Sequence, residues 1–174
     1  MNRRTLVILT VVGLMVLGLA PGAAADPAYR PFTGSASGDV TFNFVGQQVC
    51  PTTDLFFGDL ATDSQARGNA SHMGLVEMTS NHCTPAGEAI TGGEMTLIAA
   101  NDDEVYIEYA GAAPFPIPGV TEYVEADLEF TITGGTGRFA GATGGGSMHA
   151  QIEFLGFGVM TWPATWEWTG TIGY

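Results

Sequence analysis

Few residues of this chain have types and surroundings that could do chemistry. An imidazole titrates near neutral pH, so a partly buried one can act as acid or base. His72 is such a candidate, in the run Gly68–Ser80. Alternation puts it on one face with Ala70, Gly74, Val76 and Met78; Ser71, Met73, Leu75 and Glu77 share the other. Both faces are partly apolar, so periodicity leaves open which one points inward. The competing reading of His72 is a hydrogen-bonded packing residue. Arg138 could anchor a ligand carboxylate, or it could clamp its own turn through an ion pair or backbone carbonyls. Trp162, Trp166, Trp168 and Tyr174, with Phe130 and Met148, could line an apolar pocket or simply fill a core.

Other constellations carry less. Asp102-Asp103-Glu104 could attract calcium, but that ion needs six to eight oxygens from a shaped loop, and no such pattern surrounds these three. They read as a solvated turn. His149 falls on an outward face and His82 in a loop, and the three histidines and two cysteines lack zinc-ligand spacing. No metal site is expected. A Gly-x-Ser-x-Gly elbow, a phosphate loop, H-E-x-x-H and a dinucleotide fingerprint are all missing, so no cofactor is implied.

The elements that would position these residues are strands. Phe32–Val45 alternates, with Val40, Phe42 and Phe44 on one face. Gly46–Arg67 reads as a loop with a short strand at most, Gly68–Ser80 as a strand and Asn81–Glu88 as a loop. Glu94–Ala100 and Glu104–Tyr109 pair around Asn101-Asp102-Asp103. Gly111–Gly119 holds Pro114, Pro116 and Pro118, which cannot donate to a ladder, so it is expected as an apolar rim loop. Glu122–Thr133 has the cleanest alternation: Val124, Ala126, Leu128, Phe130 and Ile132 oppose Tyr123, Glu125, Asp127, Glu129 and Thr131. Met148–Phe157 follows, and a last strand sets Trp166, Trp168, Gly170, Ile172 and Tyr174 on one face. Nothing after residue 25 has a helical period. Seven or eight strands in a glycine-rich chain predict an antiparallel sheet closed into one barrel, which removes exposed edges.

Length and charge bound the class. Residues 1–25 read as a cleavable export signal: Arg3 and Arg4, the apolar run Leu6–Leu19, then Ala23-Ala24-Ala25. The expected destination is extracellular or periplasmic, with no stable membrane insertion after cleavage. Residues 26–174 would be one domain. They hold three arginines, no lysine and all 18 acidic residues, a formal charge of −15. Such a surface repels nucleic acid and anionic headgroups. Cys50 and Cys83, an even pair in an exported chain, predict one disulfide, contributing about 3 kcal/mol if unstrained.

The run Gly134-Gly135-Thr136-Gly137-Arg138-Phe139-Ala140-Gly141-Ala142-Thr143-Gly144-Gly145-Gly146 resembles the signature GGTG-[RK]-F-x-G-A-x-G of allene oxide cyclase-like and dirigent-like barrels, bacterial secreted members included. Gly68-Asn69-Ala70-Ser71-His72-Met73-Gly74 is similar to a second segment of those bacterial members. Gly93–Glu104 is similar to their T-L-x-A-A-N-G-D hairpin, with Asp102 in place of the usual Gly. The resemblance implies a calycin-type antiparallel barrel of about eight strands and a structural role for Gly134, Gly135, Gly137, Arg138, Phe139 and Gly141. Allene oxide cyclases steer a reactive fatty-acid epoxide in an apolar barrel with a glutamate and an ordered water. No match carries that glutamate onto a position here; Glu77, near His72, is the nearest candidate. Relatives in the dirigent group oligomerise, so the resemblance also raises a homo-oligomer. Three expectations follow: a barrel that binds a small apolar molecule, a cyclase or isomerase that shapes a reactive one, and a filled barrel with a structural role.

Overall fold

The computed structural model describes residues 28–43, 60–84, 89–114, 116–156 and 158–174. The expected export signal and Cys50 lie outside these residues. Eight strands form one closed antiparallel barrel: β1 (Arg30–Asn43), β2 (Leu60–Ala70), β3 (Gly74–Thr84), β4 (Ile90–Ala99), β5 (Glu104–Ala112), β6 (Tyr123–Gly135), β7 (Thr143–Glu153) and β8 (Thr161–Gly173). Each strand pairs with its neighbours in sequence, and β1 pairs with β8 from Arg30↔Ile172 to Thr41↔Thr161 to close the ring. A single 3-10 turn, Gly137–Phe139, is the one helical element among the described residues.

The alternation works as expected on β6, where Val124, Ala126, Leu128, Phe130 and Ile132 are all buried. An eight-stranded barrel is just wide enough to be filled by side chains or to hold one small ligand. Four large rings stand opposite glycines on the adjoining strand; a Cβ would strike the ring at Gly34 and Gly93, and the backbone of the neighbouring strand at Gly146 and Gly170. The pairs are Phe32↔Gly170, Trp168↔Gly34, Phe130↔Gly146 and Tyr109↔Gly93. A Cβ on Gly93 would come within 2.5 Å of the Tyr109 ring.

Several expected boundaries move. Gly68–Ser80 is not one strand but a hairpin: β2 ends at Ala70, Ser71-His72-Met73 turns, and β3 starts at Gly74. His72 takes a left-handed backbone (φ 67) and Gly74 follows at φ 75, which reverses the chain. Strand β2 begins at Leu60, inside the stretch read as a loop, and β3 extends through Thr84. Thr143–Gly146, part of the glycine-rich run that precedes the strand expected from Met148, belong to β7. Cys83 is buried on β3.

The up-and-down order gives the barrel two ends. At one end lie the start of β1, the turns at 71–73, 100–103 and 136–142, and the end of β8. Phe139 seals this end: it is fully buried, with its ring 4.9 Å from that of Tyr174. Thr136 anchors the turn on β5, donating its amide to the Glu104 carbonyl (3.0 Å) and accepting the Glu104 amide at Oγ1 (2.9 Å). Arg138 lies outside, 4.8 Å over the Phe139 ring and 3.4 Å from Asp103. Gly137 has φ 54, and a Cβ there would overlap the Asp103 carboxylate.

Phe139→Ala is expected to cost about 3–5 kcal/mol in urea unfolding, since it empties a fully buried ring site. Arg138→Ala should cost no more than about 1 kcal/mol, because its ion pair is half exposed. Equal costs would mean that the cation, not the ring, holds the seal.

Candidate functional site at the barrel mouth

At the opposite end lie the ends of β1, β3, β5 and β7 and the starts of β2, β4, β6 and β8. A cavity of about 90 Å³ opens here between the inner faces of the strands. That is several times the roughly 10–15 Å³ that one water needs. Val40 and Phe42 of β1, Val124, Ala126 and Leu128 of β6, Ala150 and Ile152 of β7, and Trp162 and Trp166 of β8 make most of the wall. Pro114 and Pro116 of the expected rim loop complete it.

One side of the wall is polar. Ser64 and Ser80 face each other across β2 and β3, both buried. His82 follows Ser80 on the same face, beside a register shift between Asn81 and Cys83. Tyr109 reaches it from β5: its ring crosses above Gly93 on β4, and its hydroxyl lies 2.8 Å from His82 Nδ1. The hydroxyl also lies 3.3 Å from the Asn81 carbonyl, to which it can donate when His82 Nδ1–H donates to the phenol oxygen. Burial lowers the His82 pKa to about 4 and pushes Tyr109 well above its ordinary value; a Ser80 hydrogen bond opposes the Tyr109 shift. Both groups are uncharged at neutral pH. The cavity therefore offers hydrogen bonds without charge.

The residues singled out in the sequence are scattered. Trp166 lines the cavity. Trp168, Phe130 and Met148 are buried in the core but do not line it. Phe32 packs against Trp168 and Phe130 at 6.5 and 6.3 Å, towards the sealed end. Tyr174 sits at that end too, against Phe139, His72 and Arg30. His72 does not look into the barrel. It is exposed in the β2–β3 turn, where Nε2 donates to the Pro31 carbonyl at 2.9 Å. Glu77 is on the outer face of β3, paired with Arg67 at 2.8 Å. The structure brings neither of them to the cavity. Gly134, Gly135, Gly137 and Gly141 lie in or beside the β6–β7 connection at the sealed end.

Asp103 closes the β4–β5 turn, accepting from Asn101 Nδ2 at 2.9 Å, and no metal-holding cluster of His, Cys, Asp or Glu occurs among the described residues. His149 is on the outside, 2.8 Å from Asp127 and 2.7 Å from Glu125. The Asp127 hydrogen bond, with help from Glu125, raises its pKa. Sequence reading missed His82 and Tyr109. The signal was parity: once β3 starts at Gly74, Val76, Met78, Ser80 and His82 share the inward face.

Folded His82 takes up its proton only near pH 4, while the unfolded chain does so near 6.5. The unfolded state thus binds more protons in that window, and stability falls by up to about 3 kcal/mol as pH drops through it. Urea titrations of His82→Gln should show a shallower acid loss than the parent; parallel curves would contradict a buried neutral imidazole. His149 acts in the opposite sense, contributing below its unfolded value of 6.5 and losing that contribution as pH rises through its raised folded pKa. Gly93→Ala should displace the Tyr109 ring and bring the His82 pKa back towards 6.5, as read by NMR titration of the imidazole.

No family model matches the chain, and no curated protein matches it. Among solved structures, the pterocarpan synthase dirigent protein GePTS1 is similar at 12% identity, over 87% of this chain and 88% of that one, with a TM-score of 0.47.

Proposed function

We propose that this protein binds a small, largely apolar molecule in the mouth of the barrel. The observation that carries this reading is the half-filled interior. Rings close the core at the sealed end, while small side chains at the mouth (Ala126, Ala150, Ser64 and Ser80) leave a cavity. Access suits an apolar guest. Ile117, Val120, Tyr123, Leu155, Val159 and Met160, all around the mouth, are exposed. Few convergent polar groups in an apolar pocket are the usual make-up of a small-molecule site.

A cyclase or isomerase is the second reading, favoured by a titratable pair inside an apolar cavity. Magnitudes weigh against acid–base chemistry by that pair. An imidazole with a pKa of about 4 is a poor base, and a phenol pushed above its ordinary pKa is a poor acid at neutral pH. Any catalysis would rest on positioning the substrate. A filled structural barrel fits the sealed half alone.

Export through residues 1–25 and a Cys50–Cys83 disulfide belong to the same proposal. The intact mass of protein collected from its own medium should begin at Asp26 and be two hydrogens lighter than the reduced chain. A full-length or fully reduced mass would remove those two parts.

A ligand at a hundred times its Kd should stabilise the fold by about 2.7 kcal/mol, a clear rise in melting temperature. A panel of small neutral apolar molecules tests this, with intrinsic tryptophan fluorescence as a second readout. Ala150→Phe fills the cavity and should abolish the response while keeping the barrel's circular dichroism. A panel that moves neither readout, or a response that Ala150→Phe leaves intact, would sink the reading.

A further inference from the structure

We propose that Ser64 is the anchoring residue of the mouth cavity. A guest then binds in one orientation, with a hydroxyl or carbonyl group turned to the β2–β3 side and its apolar body turned to β6 and β7. This rests on the binding reading above and names the polar contact and the direction of the guest. Ser64 is an inward position of β2, between the exposed Asp63 and Gln65. It lines the cavity and is 3% exposed. Its hydroxyl forms no hydrogen bond with any described residue. The hydroxyl is not sealed off either. Among the described residues, the buried side-chain polar atoms that lack both a partner and any surface are the indole nitrogens of Trp162 and Trp168. A serine hydroxyl is one bond from Cβ, so at an inward strand position it stays on the inner face. The surface that Ser64 keeps is therefore that of the cavity.

The other buried polar groups of this wall are engaged with one another. The Tyr109 hydroxyl lies 2.8 Å from His82 Nδ1 and 3.3 Å from the Asn81 carbonyl, and Ser80 is hydrogen-bonded to Tyr109. Ser64 stands opposite Ser80 in the β2–β3 register but outside that chain of bonds. On the far side of the ring, β6 and β7 line the cavity with Val124, Ala126, Leu128, Ala150 and Ile152, whose side chains offer no hydrogen bond.

An unpaired hydroxyl facing an apolar cavity is unfavourable until water or a guest meets it. A guest with no polar group would displace water from Ser64 and leave the hydroxyl unpaired, whereas a hydroxyl or carbonyl replaces the bond. A hydroxyl both donates and accepts, so Ser64 takes either group. With the polar contact on one side and methyl and methylene groups on the other, the two ends of an amphipathic guest are not interchangeable.

Benzyl alcohol and ethylbenzene test this, because they differ by a hydroxyl in place of a methyl. Affinities for the parent, Ser64→Ala and Ser64→Thr come from NMR titration of labelled protein, and intermolecular NOEs give the orientation. Ser64→Ala should weaken benzyl alcohol about fivefold, the effect of one ordinary hydrogen bond, while ethylbenzene binds at least as tightly as before. Ser64→Thr keeps the hydroxyl and should hold the ratio of the two affinities within about twofold of the parent's. In the parent, the carbinol protons of benzyl alcohol should show NOEs to Ser64 and Ser80, and its ring protons to the Ala126 and Ala150 methyls. The melting temperature of free Ser64→Ala should not fall, since no hydrogen bond within the protein is lost. A lower one would mean that the hydroxyl is already bonded, and would overturn the inference. An equal change for both ligands, or a reversed orientation with the ring against Ser64, would overturn the anchor and leave apolar binding standing. If the parent binds neither probe, this inference falls; a silent apolar panel as well would take the binding reading with it.

Discussion

The interior of this barrel is governed by space. Four of its aromatic rings, Phe32, Trp168, Phe130 and Tyr109, each stand opposite a glycine across the sheet. Each ring is thus relieved on one side, although on the other side Tyr109 faces Phe130 and Trp168 faces Met148; eight strands leave little slack. Ring clearance accounts for Gly34 and Gly93, while Gly38, Gly68, Gly146 and Gly170 serve the close approach of neighbouring backbone. Three of the pairs fill the barrel towards its sealed end. The fourth lays Tyr109 across β4 to meet His82, and so builds the polar side of the cavity. The β1–β8 pairing carries two of the four, so the ring–glycine scheme is complete only when the ends of the chain meet. Closure of that kind depends on contacts far apart in sequence, which slows folding relative to local hairpins.

The two ends divide the work. At one, a buried phenylalanine on a glycine-framed turn shuts the barrel, and the conspicuous Arg138 only rests on it from outside. At the other, alanines and serines stand where rings would fit, and the sheet encloses room for a guest. The neutral imidazole and phenol on that wall are consequences of burial beside one another with no charged group to hold either ionised. What the wall offers is shape and hydrogen bonding.

Much of the fold was legible because period-two alternation reports which face of a strand is buried. Glu122–Thr133 shows this cleanly, with a polar outer face and an apolar inner one. The run at 68–80 concealed a hairpin because its two faces are equally apolar and its turn centres on His72, which supplies the positive φ that glycine or asparagine usually marks. The site was less legible than the fold. Alternation assigned Trp166, Trp168, Phe130 and Met148 to the interior, and all are buried, but a face says nothing of depth along the barrel axis. Depth depends on strand tilt and stagger, so Trp166 reaches the cavity while its neighbour two residues on packs below it. His82 was hidden for a related reason. It falls past the expected end of its strand, beside a register shift, where counting from the turn sequence places a loop.

The closing pairing of Arg30 with Ile172 also fixes where the chain enters and leaves the barrel: side by side, at the sealed end. Whatever precedes β1 or follows β8 is therefore attached on the face away from the mouth. A molecule immobilised through either terminus, on a bead or a cell envelope, would stand with its opening towards the surrounding fluid. Two copies joined end to end through their termini would present their openings in opposite directions, with neither blocking the other. The topology that closes the sheet thus also gives the molecule a polarity, with both chain ends at one pole and the cavity at the other.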